Sequence, residues 1–355
     1  MRCARATGVR ASLIARAEQD SGMHRRTFLR GVAFSYLLLC RPLRAQHPSK
    51  VARIGYLATG PLDSREQRSG LEAFRQGLRE LGYVEGQNIV IEVQHADGNL
   101  ALFPSRASEL VRLNPDLILA TNTPAARAAQ QATSTIPIVV PVMGDPIGDG
   151  LVANLARPGG NITGLTFIGP QLVPKRLALL KEALPTASRV VGLWQPHAYG
   201  ERTMSDMMKE AEAAARTLGM QLRLVAVPAA PDGLDRAFAV IAGERADALF
   251  VFPSPMLFTE RKRIIDLATR QRMPSMSQDK GFVELGGLIS FGANLTDLSR
   301  RGARFVDKIL RGTKPGDLPV EQPTKFELVI NLKTAKALGI AIPQSVLLRA
   351  DEIIQ

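Results

Sequence analysis

Thr121, Asn122 and Thr123 stand directly before Pro124, and Met143, Gly144 and Asp145 close the next apolar run. Proline is favoured at the first position of a helix, so residues 121–123 read as a helix start. Its free N–H groups and partial positive charge suit a carboxylate. Asp145 suits an ammonium group. A helix start and an acid on one wall is the chemistry of zwitterion capture, as of an amino acid. Each residue also has a plain structural role: Thr123 as an N-cap, Asp145 before Pro146 as a turn residue. Trp194, the single tryptophan, stands at a strand end, where it either stacks on a ligand or packs the interior.

Residues placed this way need elements to hold them. Short runs rich in Val, Ile and Leu alternate with helical patterns along the chain. VARIGYLA, NIVIEVQHA, DLILATN, IPIVVPVM and NITGLTF form a first set of strands. RVVGLWQP, QLRLVAVPA, DALFVFPS, MPSMSQ and GGLISFG form a second. Helices are expected over 65–81, 102–113, 124–132, 174–184, 201–218, 232–243, 259–271 and 297–311. Such alternation means βαβ units and parallel sheets with helices on both faces. Continuous apolar runs are what strands buried on both faces look like. The segment ARPGGNITGLTFIGPQLVPKR separates the sets with clustered Gly and Pro and no helical period, a linker signature. The pattern predicts an α/β protein of two similar Rossmann-like lobes. LVINLKTAKALGIAIP adds a strand and a short helix, with Gly339 as its C-cap and Pro343 beyond.

Ligands of open parallel sheets bind outside the carboxyl ends of the strands. Those ends are Thr59 after the first strand, Thr121, Asn122 and Thr123 after the third, and Met143, Gly144 and Asp145 after the fourth. In the second set they are Trp194 and Gln195, Pro253 and Ser254, and Gln278. Two lobes facing each other would set these loops across a cleft.

The N-terminus has a different logic. MHRRTFLRGVAFSYLLLCRPLRAQ, residues 23–46, has a basic head, a short apolar run and a cleavage point near Ala45, the parts of a secretory signal. The run is too short for a membrane span, which needs about twenty residues. RRTFL followed by Arg30 resembles the twin-arginine export signal, and Met23 reads as the true start. The whole chain carries +12, of which residues 1–45 contribute +7, leaving +5. With both signs interspersed and no long basic run, nothing tracks a phosphate backbone, so nucleic acid is not an expected partner. Cys3 and Cys40 both fall before the cleavage point, which excludes disulfides and thiolate metal sites from the processed chain. Leu39 before Cys40 departs from a lipidation motif.

Three stretches carry a family resemblance: LRELGYVEGQNIVIE, TIPIVVPVMGDPIGDGLVANLARPGGNITGL and DLPVEQPTKFELVINLKTAKALGIAIPQSVLLRADEII. They resemble the periplasmic substrate-binding proteins of ABC importers, in the tryptophan/tyrosine-type subfamily, over essentially all of 51–355. The resemblance implies a type I periplasmic binding fold, with two lobes joined by three crossings. Lobe 1 would be 51–165 plus 292–318, and lobe 2 would be 166–291 plus 319–355. It implies a monomeric, non-catalytic periplasmic receptor without cofactor. That receptor would capture a small polar organic solute, an amino acid or related compound, and dock on an inner-membrane ABC permease. Two departures stand in the second lobe. Pro274-Ser275-Met276-Ser277 replaces a Pro-Ala-Ile-Tyr pattern, and Gln195-Pro196-His197-Ala198 replaces Asn-Pro-Ala-Asn, which puts an aromatic amino acid ligand in question.

Other functions find little support. Gly148 to Ala153 fits G-x-G-x-x-G/A, but it follows a fourth strand rather than the first and lacks the later acid. There is no phosphate-binding G-x-x-x-x-G-K-[ST] and no G-x-S-x-G elbow. His47, His95 and His197 have no metal-ligand spacing. An exported hydrolase is the weaker alternative, since catalytic triads are recognised by geometry. A sensor domain presenting to a membrane receptor is the stronger. A repressor effector domain would need a DNA-binding headpiece where the export signal stands.

Overall fold

The computed structural model describes residues 51–62, 65–228 and 230–355. The twin-arginine segment, the start at Met23 and the cleavage point near Ala45 lie outside the described residues.

The first sheet holds five parallel strands in the order β2-β1-β3-β4-β5. They are β1 (Ala52–Ala58), β2 (Ile89–His95), β3 (Leu117–Ala120), β4 (Ile138–Met143) and β5 (Ile162–Thr166). β3 is buried at all four positions, as a strand covered on both faces must be. Helices α1 (Arg65–Glu80), α2 (Phe103–Arg112) and α3 (Thr123–Ala132) connect the strands.

The second sheet continues with α4 (Val173–Ala183), β6 (Arg189–Trp194), α5 (Glu201–Thr217), β7 (Gln221–Ala226), α6 (Gly233–Gly243) and β8 (Ala248–Val251). Then come α7 (Pro255–Thr259), α8 (Arg261–Arg270), β9 (Ser275–Ser277), α9 (Lys280–Glu284) and β10 (Ile289–Gly292). After β10 the chain returns to the first sheet as α10 (Leu295–Leu310), which packs on α1 and β4. It then rejoins the second sheet as β11 (Glu327–Asn331), α11 (Leu332–Leu338), α12 (Gln344–Leu347) and β12 (Glu352–Ile354). The chain thus passes between the sheets three times, after β5, before α10 and after α10.

The seven strands run in the order β12-β11-β10-β9-β8-β6-β7. All neighbours are parallel except β10 and β11. The antiparallel pair corrects the expectation of parallel strands throughout. β11 is reached from the first lobe rather than by a local crossover helix, so the βαβ geometry does not constrain its direction.

α10 shows why this helix returns. Leu298, Gly302, Ala303, Phe305, Val306 and Ile309 are buried on one face, spaced as a core-facing helix requires. Each large apolar side chain there contributes about 1.5–3 kcal/mol on burial, an upper figure. One apolar cluster runs from Ile54, Phe74 and Phe305 of the first lobe to Leu180, Phe250 and Ile330 of the second. The outer faces have separate clusters, around Leu110 and Ala126 and around Phe238 and Ile264. All eight expected helices form, within a few residues of their expected ends. Gly339 ends α11 in the left-handed region.

Candidate functional site

Thr59, Thr121, Asn122 and Thr123 meet at the carboxyl ends of β1 and β3. Asn122 is extended, and its Oδ1 accepts the Ala125 N–H at 3.1 Å, the cap that starts α3. Its Nδ2 donates to the Thr59 hydroxyl at 2.6 Å and to the Thr121 hydroxyl at 3.1 Å. Thr121 in turn donates to the Leu57 carbonyl. Thr123 accepts the Gly144 N–H at 3.1 Å, which ties α3 to the loop after β4. The hydroxyl cluster is therefore held by the strand ends themselves.

These four residues, with Ser254 and Gln278, line a cleft between the two sheets. Its empty space is about 810 Å³, counting the part open to solvent. The first lobe adds Tyr56 of β1, Ser69 and Gly70 of α1 and Val142 of β4, and Phe167 joins them from the crossing just after β5. Leu295, Thr296 and Ser299 come from the first turns of α10. The second lobe adds Tyr199 before α5, and Pro255 and Phe258 of α7. The wall is thus aromatic and aliphatic with hydroxyl and amide groups between. Among the described residues no Asp, Glu, Lys, Arg or His lines it.

Six expected site residues stand elsewhere. Asp145 is turned into its own loop: Oδ1 accepts the Gly148 N–H at 3.0 Å and Oδ2 the Thr203 hydroxyl at 3.3 Å. Its carboxylate serves the turn and the second lobe, not the cleft. Met143 is fully buried in the first core. Gly144 presses on the Tyr199 ring, which covers it: an added Cβ would meet Tyr199 Cε1 at 2.3 Å. Trp194 is partly buried and packs against the central apolar cluster, outside the cleft lining. Gln195 stands one layer back, its Oε1 accepting the Ser254 hydroxyl, whose oxygen also accepts the Leu257 N–H that starts α7. Pro253 is buried beside it without lining the cleft.

Three titratable groups at or behind the wall are perturbed by burial. Asp149 is buried and accepts the Gly200 N–H at 2.6 Å, while its Oδ2 has no partner. Burial raises its carboxyl above the ordinary value, against the Gly200 hydrogen bond, the nearby Thr203 hydroxyl and the charge of Arg127. Arg176 of α4 is fully buried and donates to the carbonyls of Phe291 and Gly169. Burial pushes its guanidinium down to about 9, with the Tyr199 phenol opposing. It remains charged at neutral pH. Burial also pushes the Tyr199 phenol upward, so it stays protonated. Among the described residues no cluster of His, Cys, Asp or Glu could hold a metal, and no helix is long and apolar enough to cross a membrane.

Two α/β lobes, three crossings and a cleft at the carboxyl ends of both sheets define a ligand-binding protein of the type I periplasmic binding fold. Residues 63–354 match the family model described as ABC transporter substrate binding protein. The chain belongs to that family, which is one of binding proteins and not of enzymes. It is 27% identical over 270 residues to the tyrosine-binding protein of Clostridioides difficile strain R20291, covering 76% of each chain. It is similar to the solved ABC domain from Streptococcus pneumonia in complex with L-Trp, with TM-score 0.77 and 28% identity over 85% of this chain and 99% of that one. It is also similar to the ligand-free, open structure of a substrate binding protein with adhesive properties from Clostridium difficile, with TM-score 0.60 and 25% identity over 86% and 99%.

Proposed function

We propose that this protein is the exported receptor of an ABC importer. It captures a small organic solute, an amino acid or related compound, between its lobes and presents it to a permease in the inner membrane. The observation that carries this reading is the cleft itself, lined from both lobes at the strand ends. The likeness to relatives that bind tyrosine and L-Trp supports an aromatic or similarly apolar body for the solute. The chain is nearer to the ligand-bound relative than to the open one, which supports reading the present arrangement as closed. Closure then draws its free energy from contacts that a ligand makes only when both walls are in place.

The domains of this receptor are 51–165 plus 292–318 and 166–291 plus 319–355, with residues 1–45 removed on twin-arginine export to the periplasm. It acts as a monomer, without nucleic acid and without cofactor. A thermal-shift screen against amino acids, aromatic acids, nucleosides and sugars tests the receptor role. A solute that binds only the folded form raises the melting temperature, and a protein with no response in any class is not a small-solute receptor. Intact-mass analysis of periplasmic protein tests export: a chain beginning at residue 1 or 23 refutes it.

A further inference from the structure

The charges around the cleft are not balanced. Arg176 spends Nε on the Phe291 carbonyl at 2.7 Å and Nη1 on the Gly169 carbonyl at 2.9 Å, but Nη2 has no partner. Among the described residues no carboxylate pairs with it. A buried cation left this way is costly, and an anion brought beside it recovers that cost. Arg261, behind Phe258, differs in having the Asp279 carboxylate nearby.

Arg176 stands directly behind the cleft wall. Its Nη2 and the Gln278 carbonyl oxygen crowd the same side of Gly292, at 3.6 and 2.0 Å from the place a Cβ would take. The Tyr199 phenol feels two opposed charges, that of Asp149 first and that of Arg176 second. Gln278 and Tyr199 both line the cleft. Gln278 is 3% exposed and its Oε1 has no hydrogen-bond partner, so an acceptor waits there for a donor. The starts of α3 and α10 add positive ends on the first-lobe side. Each nearby acid has a partner of its own, although Asp149 leaves its Oδ2 without a hydrogen bond and is met by the charge of Arg127. Asp145 and Asp149 take N–H groups of Gly148 and Gly200, Asp279 takes that of Gly281, and Asp297 pairs with Arg300 at 2.8 Å.

We propose that the solute is an organic carboxylate of net negative charge, held with its carboxylate on the Tyr199 side in the field of Arg176 and donating a hydroxyl or N–H to Gln278. Its apolar body lies against Tyr56, Phe167 and Phe258. This inference rests on the solute-binding reading above and narrows it. An amino acid brings an ammonium group that cancels the net charge, faces Arg176 and meets no free acid among the described wall residues.

Calorimetric titration of the purified protein with three matched probes tests it: 3-(4-hydroxyphenyl)propionate, its neutral amide, and L-tyrosine. The carboxylate is expected to bind at least about tenfold more tightly than either of the others. L-Tyrosine or the amide binding as tightly as the carboxylate overturns the proposal and leaves the receptor role standing. A sugar or nucleoside bound in place of all three does the same. No binder in the whole solute screen overturns both. Arg176→Met removes the charge and keeps much of the bulk. In this variant the preference for carboxylate over amide is expected to collapse, and its persistence overturns the role of Arg176. The comparison of probes on the unaltered protein decides the charge class even if this variant does not fold.

Discussion

The Asp149 carboxylate accepts the Gly200 N–H at 2.6 Å, and so caps from the first lobe a helix that belongs to the second. α5 has Gly200 at its N-cap, with no side chain of its own to satisfy the exposed N–H groups. Those groups need partners, and closure supplies one. The Asp149–Gly200 bond, the Thr203–Asp145 bond and the Tyr199 ring over Gly144 make one seam beside the cleft. Asp149→Ala removes the cap without touching the cleft wall. A lost cap costs about 1 kcal/mol, so solute affinity is expected to fall about fivefold. Unchanged affinity by calorimetry would show that the seam contributes nothing to closure.

The same carboxylate makes stability depend on pH. Burial raises the Asp149 carboxyl above its ordinary value of 3.8, so the folded protein holds this proton more tightly than the unfolded chain. The site's contribution is complete below about pH 4 and is lost as pH rises through the raised folded value. Asp149→Asn keeps an acceptor for Gly200 and has no proton to lose. Its urea midpoint is therefore expected to gain on the unaltered protein between about pH 4 and about pH 7. Parallel midpoints across that range would exclude an uncompensated carboxylate at this position.

Gly144 tests the seam from the opposite side. The Tyr199 ring occupies the space a side chain would need, with Cε1 at 2.3 Å from an added Cβ. Gly144→Ala must push Tyr199, a cleft residue, off the first lobe. The cores of the two lobes lie elsewhere, so the far-ultraviolet circular dichroism spectrum should not change. Affinity should fall by about tenfold or more, since overpacking of this kind costs about 1–3 kcal/mol. An alanine variant that binds as before would mean that Tyr199 is free to move at no cost.

Asn122 joins three elements, and its loss should be felt in stability before function. Asn122→Ala deletes the α3 cap and the bonds to Thr59 and Thr121. The expected cost is about 0.5–2 kcal/mol, or a melting temperature lower by about 2–8 °C. Asn122→Asp retains the cap acceptor and should recover part of the difference. If both variants melt with the parent, the strand ends are held together by something other than this amide.

Much of this was legible in the chain, and the misses have physical reasons. Apolar runs and helical periods located the elements of both sheets because burial on both faces leaves a strong local signal. The rule of strand carboxyl ends brought Thr59, Thr121, Asn122, Thr123, Ser254 and Gln278 to one cleft. It failed for Asp145, because an acid at a strand end looks the same whether it faces a ligand or the Gly148 N–H three residues on. Tyr199 and Phe258 were missed because their exposure to the cleft depends on how the lobes meet, which no local pattern encodes. Leu295, Thr296 and Ser299 were missed for another reason. Asn294 caps α10 through the Asp297 N–H, so the sequence does mark the helix start, but only the crossing before it aims that start at the cleft. Arg176 carried no signal, since KRLALLKE reads as an ordinary amphipathic face.

The crossing that aims α10 can itself be tested, at Gly77 of α1. α1 and α10 lie so close that a Cβ on Gly77 would stand 2.2 Å from the Arg300 carbonyl oxygen and 2.9 Å from the Ala303 Cβ. Only a residue without a side chain lets the two backbones approach this way. Both obstacles lie in the helix itself, so no rotamer change relieves them. In an isolated α1, Gly77→Ala would instead favour the helix by about 1 kcal/mol. The two effects have opposite signs, which makes the substitution decisive. If α10 returns to pack on α1, Gly77→Ala must force the helices apart and cost about 1–3 kcal/mol, seen as a lower urea midpoint. It should also weaken solute binding, because Leu295, Thr296 and Ser299 shift with the helix. A higher midpoint would mean that α10 does not pack here, and the first lobe would lose the helix that supplies one side of its cleft.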